Sequence, residues 1–206
     1  SVTVGPERSE ETIRMALAKG VDRAVRIWDD TLADAGLLDV TTKARILERV
    51  VEAEEPDLVF TGVQAADDAF SATGVFLADT LDYEWAAVVN DFELAADEGV
   101  AHVHRELEGG VEELTEVDLP AVMTIQTGIN EPRYASLRGI RQAQSKELDV
   151  QTLDDLGLDV DGIGGDVVLT DMYEPESESD AVLFEGGPEE TAGELATVLR
   201  DMGVGS

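Results

Sequence analysis

Apolar and polar residues follow two periods over the first ninety residues, one typical of buried strands and one of amphipathic helices. Four short apolar runs predict strands: 1–4 (SVTV), 23–28 (RAVRIW), 57–62 (DLVFTG) and 85–89 (WAAVV). Three segments between them place apolar residues at helical spacing: 7–19, 41–55 and 67–81. This rhythm predicts right-handed crossovers and an α/β fold with a doubly wound, mostly parallel, Rossmann-like sheet.

The period changes after residue 90. Apolar and polar residues alternate from 92 to 128, with turn sequences at 96–99 and 108–110, which predicts an antiparallel meander. From Leu148 onward the periodicity is lost, apart from a short helix at 190–203, and 174–180 (EPESESD) is typical of a solvated acidic connector. We therefore expect a domain at 1–147 and an extended C-terminal arm at 148–206.

The composition allows a substantial core and excludes several classes of protein. Hydrophobic residues make up 43% of the 206 residues. No window approaches the roughly eighteen apolar residues of a membrane span, and nothing resembles a secretory signal, so we expect no membrane insertion and a cytoplasmic location. The chain has no cysteine, which excludes disulfides, a thiol nucleophile and thiolate metal sites.

The net charge of −32 is spread along the whole chain. No basic stripe exists to displace counterions, which excludes nucleic acid as a partner. Dispersed carboxylates with few lysines are typical of proteins that work in concentrated salt, where self-repulsion is screened. We interpret the charge as a halophilic adaptation that says nothing about mechanism.

Two loops follow predicted parallel strands, where open α/β sheets bind their ligands: 4–6 and 61–74. In the second loop, Gly62 would let a ligand approach the backbone, and Gln64 offers an amide to a base or ribose. Ser71 and Thr73 place hydroxyls near a helix N-terminus, which favours phosphate. Alternatively, Gly62 is only a turn glycine, and Asp67 and Asp68 only cap the helix. Neither G-x-G-x-x-G nor a Walker loop is present.

Other candidate sites have weaker patterns. His102 and His104 lie two residues apart on a predicted strand and share a face, but no third metal ligand is evident, which favours plain surface histidines. The segment 162–166 (GIGGD) predicts a turn. No combination of nucleophile, base and orienting group can be assembled, which argues against a hydrolase.

The segment 129–145 (INEPRYASLRGIRQAQS) is unusual in so acidic a chain, because three arginines fall within nine positions. From the residues alone, the helical spacing of Leu137, Ile140 and Arg141 favours a core helix that contains Leu137.

Several collinear motifs resemble the beta-subunit family of electron transfer flavoproteins. They include SVTVGPERSEETIRMALAKGVDRAVRI, DLVFTGVQAADD…TG, HRELEGGVEEL, LPAVMTIQTGINEPRYASLRGI and TAGELATVLRDMG. The run from Asn130 to Tyr134, followed by Ser136 and Leu137, is highly specific. TGINEPRY resembles the nitrogen-fixation (FixA-type) branch more than the mitochondrial one.

The resemblance implies an adenine-nucleotide-binding α/β fold that holds AMP, or a second FAD in electron-bifurcating members. It implies an alpha subunit that shares the electron-transferring FAD, acyl-CoA or related dehydrogenases as electron donors, and a quinone-linked acceptor. The chain would be an electron carrier rather than an enzyme. The nucleotide contacts implied by the resemblance are Val4, Gly62, Val63, Gln64, Ala65, Ala66, Asp67, Asp68, Ala69, Phe70, Ser71, Ala72 and Thr73.

The resemblance also implies a recognition loop for dehydrogenases, with Leu137 as its apolar anchor. In this interpretation Pro132 fixes the entry of an exposed loop, Tyr134 and the arginines hold its base, and Leu137 is presented to the partner protein. Glu106 matches an acid near the mobile flavin domain of the alpha subunit. The recognition residues are Arg133, Tyr134, Ala135, Ser136, Leu137, Arg138, Gly139, Ile140, Arg141 and Gln142.

The chain departs from the family pattern at several positions. Val63 stands where the family motif GKQA has lysine, and the further polar positions of that loop are Ala69, Ser71 and Ala72, which bears on the identity of the nucleotide. QAQS replaces the lysines that usually follow the recognition loop. The family's first strand and its nucleotide-contacting loops are expected ahead of Ser1. A rival function is a freestanding nucleotide-binding stress or signalling module, which would need neither the C-terminal arm nor the NEPRY loop.

Overall fold

The computed structural model describes residues 1–34, 38–159, 163–165, 167–174 and 181–204. The chain divides into two compact units, Ser1–Leu169 and Thr170–Ser206. Within the described residues, no helix combines the length and the apolar composition needed to cross a membrane.

The first unit contains a small sheet of three parallel strands in the order β1-β2-β8. These strands are β1 (Val2–Val4), β2 (Ala24–Ile27) and β8 (Leu148–Gln151). A short 3₁₀ turn (Glu7–Ser9) leads from β1 into α1 (Glu10–Ala18). All four residues of β2 are buried, because β2 is the central strand and is covered by neighbouring elements.

The second sheet of this unit has five strands in the order β3-β7-β4-β5-β6. The strands β3, β7 and β4 are parallel to one another, and β4, β5 and β6 are antiparallel. The strands are β3 (Leu58–Gly62), β4 (Glu84–Ala95), β5 (Val100–Leu107), β6 (Val111–Asp118) and β7 (Ala121–Ile125).

Helix α3 (Val40–Glu54) carries apolar residues into two core clusters, one on each side of it. Ile46 and Val50 join the cluster built on β2. Ala44 and Val51 pack with Leu77 of α4 (Thr73–Leu81). The remaining helices are α2 (Asp30–Asp34), α5 (Leu137–Ala143) and α6 (Pro188–Asp201).

The predicted fold class is confirmed, with parallel pairs forming most of a mixed α/β architecture, but two details differ. The parallel strands lie in two sheets, because β1 and β3 are edge strands with no ladder between them. The run at 121–125 does not continue the antiparallel meander and inserts between β3 and β4, parallel to both. Its first four residues are buried, and an inner strand of a parallel sheet supplies that burial.

The first unit extends to Leu169, past the boundary predicted at residue 147. Strand β8 pairs with β2, and Leu153 and Ile163 join its core cluster. Val167 N donates to Asp39 Oδ2 at 3.0 Å. The sequence pattern missed this attachment, because a four-residue strand is too short to show a period.

The second unit contains α6, which begins with proline at its first turn and has no buried residue. The helix predicted at 190–203 is thereby confirmed. The predicted connector 174–180 lies outside the described residues except for Glu174, and the predicted turn at 162–166 lies outside them at Gly162 and Asp166.

Candidate functional site

A groove with a volume of about 870 Å³ lies between the two edge strands β1 and β3. Its walls are mostly apolar, with Val2 and Val25 on one side and Leu58 on the other, and α3 contributes Val50. The carboxyl end of β3 opens into the 62–73 loop. The groove therefore reaches the edge of the parallel strands at which α/β proteins bind ligands.

The 62–73 loop is irregular up to Ala72, whereas the sequence predicts a helix from residue 67. Ala69 and Ser71 both have φ of +55°, a left-handed conformation that non-glycine residues rarely adopt. Gln64 Nε2 donates to Ala69 O at 3.1 Å and closes the loop on itself. Such strain costs on the order of 1–3 kcal/mol per residue and clusters at functional sites.

The predicted helix cap at Asp67 and Asp68 is wrong. The residue before α4 is Ala72, and no side chain caps the helix. Asp67 accepts a bond from Asp68 N, and Asp68 Oδ1 accepts one from Phe70 N at 3.2 Å. These bonds hold the chain in turns that stop the helix from starting earlier.

The second carboxylate oxygen of Asp68 forms an ion pair with Lys43 of α3. The Asp68 side chain is 8% exposed, whereas that of Lys43 is 24% exposed. The hydrogen bond from Lys43, helped by the Phe70 N–H and the charge of Lys43, lowers the pKa of Asp68 although desolvation opposes the shift. Local spacing gives no signal for Lys43, because it lies on a different element from the loop.

Of the two glycines in this region, only Gly74 is required by packing. A Cβ at Gly62 would meet no atom within 4 Å, and its φ lies outside the left-handed region, so neither packing nor turn geometry requires glycine. A Cβ at Gly74 would overlap Thr61 Oγ1 and come within 2.7 Å of Thr124 Cγ2. Gly74 thus lets the first turn of α4 pack directly on β3 and β7, a role that the sequence analysis missed.

The structure brings together only part of the predicted nucleotide contacts. Those that line the groove are Gly62, Val63, Gln64, Ala65, Asp68, Ser71, Ala72 and Thr73. Ala66, Asp67, Ala69 and Phe70 belong to the same loop but do not line it. Val4 packs against the core cluster built on Val25 and Ile27 and does not line the groove either.

The residues at this end of the groove fit a phosphorylated nucleotide. The N-terminus of α4 has no side-chain cap, so its first N–H groups are available to an anion. Ser71 and Thr73 add hydroxyls, and Lys43 adds a positive charge. The open space beside Gly62 leaves its backbone accessible.

The second candidate region is the segment 133–142, which ends in helix α5. Leu137, the first residue of α5, is 81% exposed, so it is not a core leucine in this chain. Ser136 caps the helix by accepting a bond from Gly139 N at 3.0 Å. A Cβ at Gly139 would lie 2.6 Å from Ala18 O, so glycine permits the close packing of α5 on the end of α1.

The base of this segment is held differently from the prediction. Tyr134 is 99% exposed and does not hold it. Arg133 lies beside Gly20, but within the described part of the chain Arg133, Arg138 and Arg141 form no ion pair with any carboxylate. The anchoring contacts come from Arg14 of α1, whose Nη1 donates to Ala143 O at 2.9 Å and to Lys146 O at 2.8 Å. The three arginines are exposed.

The histidines of β5 share a face, as predicted, and each lies beside a carboxylate of β6. His102 Nδ1 is 3.4 Å from Glu116 Oε1, and His104 Nε2 is 3.4 Å from Glu112 Oε2. No group of three or more potential ligands that could hold a metal ion exists among the described residues. Glu106 is exposed farther along β5, opposite Glu112.

Known proteins match this chain over most of its length. The electron transfer flavoprotein domain family matches residues 1–156. The chain is 42% identical over 203 residues to an electron transfer flavoprotein subunit beta of Methylophilus methylotrophus, covering 97% of this chain and 75% of that protein. The subunit beta of Mus musculus is 36% identical over 203 residues, with 98% and 75% covered. A mitochondrial subunit beta of Arabidopsis thaliana is 37% identical over 183 residues, with 89% and 69% covered.

The chain is thus a mixed α/β protein with a groove at the carboxyl end of strand β3. It belongs to the electron transfer flavoprotein domain family.

Proposed function

We propose that this chain acts as the beta subunit of an electron transfer flavoprotein, an electron carrier rather than a catalyst acting on a substrate. The observation that carries the proposal is the alignment of curated beta subunits over nearly the whole chain, together with the groove beside the 62–73 loop. The rival stress or signalling module has no comparable support.

The groove is proposed to bind AMP, or a second FAD if the protein belongs to the bifurcating FixA-type branch. The uncapped N-terminus of α4, the hydroxyls of Ser71 and Thr73, and the accessible backbone at Gly62 support a phosphorylated ligand. Extraction of the bound nucleotide distinguishes the two possibilities.

An alpha subunit is proposed as the obligate partner, sharing with this chain a flavin that supplies the redox chemistry when bound. The second unit supports this proposal, because Val182, Leu183 and Met202 are strongly exposed and α6 buries no residue in the described structure. Glu106, exposed on β5, is the proposed contact to the flavin domain of that subunit.

The segment 133–142 is proposed to dock the electron donor, an acyl-CoA or related dehydrogenase, before electrons leave for a quinone-linked acceptor. Leu137 is 81% exposed at the start of α5, so a partner pocket can bury its apolar side chain. A cytoplasmic location and a halophilic source complete the proposal, the latter supported by the net charge of −32.

Purification from the native source tests the proposal. We expect light scattering to show a heterodimer, and extraction to release FAD together with AMP or a second FAD. We also expect a dehydrogenase to reduce the bound flavin and a quinone-linked acceptor to reoxidise it. A stable flavin-free monomer with a protease-resistant 170–206 unit would overturn the proposal in favour of a freestanding nucleotide-binding module.

A further inference from the structure

The groove contains two described basic side chains, at opposite ends. Arg23 precedes β2, at the amino ends of the parallel strands, and forms a bidentate ion pair with Glu54. Lys43 lies at the loop end and pairs with Asp68. The 61–74 segment itself contains neither lysine nor arginine, so the loop has no cation of its own.

We propose that Lys43 is the phosphate-binding cation of this groove and that Asp68 competes with the phosphate for Lys43. The inference rests on the proposed nucleotide binding and adds the residue that would bind the negatively charged phosphate. Lys43 comes from α3, outside the loop that the family resemblance identifies.

The geometry favours phosphate binding by Lys43 over a purely structural role for its ion pair with Asp68. The side chain of Lys43 is 24% exposed, three times the 8% of Asp68, so the cation is the partner that remains open to the groove. An ammonium has three donors, and the bond to Asp68 uses one of them. The remaining donors can bond a second anion without loss of the first contact.

Electrostatics provides the second argument. The loop carries two adjacent carboxylates, Asp67 and Asp68, and the whole chain has a net charge of −32. A phosphate that enters this end of the groove would be repelled unless a cation offset them. Within the described lining, Lys43 is the cation beside Ser71, Thr73 and the uncapped start of α4.

The test compares a charged and an uncharged form of the same ligand by calorimetry. The protein is purified with any subunit that accompanies it and stripped of nucleotide, and AMP and adenosine are titrated into each variant. We expect Lys43→Met to weaken AMP binding about tenfold or more, because it removes a hydrogen bond between two charged groups. Adenosine binding should change less than about twofold. Lys43→Arg should keep most of the AMP affinity, and Lys19→Met is the control for the loss of one positive charge outside the groove.

Asp68→Asn distinguishes phosphate binding by Lys43 from a purely structural role of the Lys43–Asp68 ion pair. If Lys43 binds the phosphate, removing its competitor should raise AMP affinity and leave adenosine unchanged. A purely structural ion pair predicts the opposite. Breaking it would weaken the binding of both AMP and adenosine, in Lys43→Met as well as in Asp68→Asn. That result, or an AMP affinity unaffected by Lys43→Met, would overturn the inference while the proposed function stands. A wild-type protein that binds neither AMP nor adenosine would overturn the nucleotide proposal, and this inference with it.

Discussion

The 62–73 loop and the 133–142 segment use their polar and apolar side chains in opposite ways. In the loop, polar groups bond to one another, as Gln64 does with Ala69 O and Asp68 with Lys43, and the backbone is strained at two residues. In the 133–142 segment, Tyr134 and Leu137 are exposed, while the contacts that hold the segment lie beneath it, on α1.

This difference distinguishes two kinds of binding. A small ligand is bound by a concave surface whose polar groups are positioned in advance, and the loop lines such a groove. A protein partner is bound by a protruding side chain on a rigid support, which is what Leu137 and the capped helix α5 provide. We therefore assign nucleotide binding to the first region and partner docking to the second, each as a proposal.

Low salt is expected to have the largest effect, because it acts on both regions at once. Dilute buffer removes the screening of −32 charges, and their repulsion should destabilise the chain. A loss of only about 3 kcal/mol would lower the Tm of a protein of this size by roughly 6–12 °C. Thermal unfolding between molar salt and dilute buffer checks the expectation. A Tm that stays level would remove the halophilic interpretation of the charge.

Leu137→Ala sharpens the comparison at the docking surface. Burying one leucine in a partner pocket is worth roughly 1.5–3 kcal/mol, so electron transfer from the dehydrogenase should fall about tenfold or more. The free energy of unfolding should barely change, because Leu137 is already exposed. The outcome against the prediction is a stability loss of about 2–5 kcal/mol with electron transfer intact, which is the behaviour of a core leucine.

Two glycine substitutions test the groove side. Gly74→Ala should lower the free energy of unfolding by about 1–3 kcal/mol, because the new methyl group would overlap Thr61 and Thr124. Gly62→Ala is the matched control and should change stability by less than about 0.5 kcal/mol, since nothing lies within 4 Å of its Cβ. Denaturant titration measures both. Equal losses at the two positions would mean that the described packing of α4 on the sheet is wrong.

The smallest predicted effect concerns the pH dependence of the Lys43–Asp68 pair. The pKa of Asp68 is lowered in the folded protein, so the pair stabilises the fold fully above the unfolded-state pKa of about 3.9. That contribution is lost as the pH falls through the folded-state pKa of Asp68. The difference in free energy of unfolding between wild type and Asp68→Asn should therefore be constant from about pH 5 to 7 and shrink below about pH 4.

Asp67→Asn is the control for that experiment, because Asp67 accepts a backbone bond from Asp68. An Asp68→Asn difference that persists unchanged at low pH would contradict the assigned ion pair.

The sequence pattern was sufficient to predict the bounds of elements long or apolar enough to show a clear period. It was insufficient to predict contacts between segments that are distant in the sequence. Helix α3 and strands β2 and β3 were predicted within one or two residues. The four residues of β8 were missed, because their place is set by the ladder to β2 and not by a period. The β7 run was taken as part of the meander, because alternation does not specify which strand is the neighbour.

Side-chain roles were harder to predict than elements. Asp68 follows the pattern of a helix cap, but Lys43, 25 positions earlier, takes its carboxylate instead. Tyr134 was expected at the base of its loop, and only the packing of α1 on α5 shows that Arg14 holds that base. Pairings of this kind depend on tertiary structure, so local spacing carries no signal for them.

The division of roles between the two regions is tested most directly by one crossed measurement on Leu137→Ala and Gly62→Val. Both the nucleotide content of the purified protein and its Kd for the dehydrogenase are measured for each variant. We predict that Leu137→Ala keeps its nucleotide and loses about tenfold or more in dehydrogenase affinity. Gly62→Val adds a bulky side chain at a residue that lines the groove, and it should lose nucleotide and keep its dehydrogenase affinity. If either variant loses both properties, or if the pattern is reversed, the assignment of nucleotide binding and docking to separate regions is contradicted.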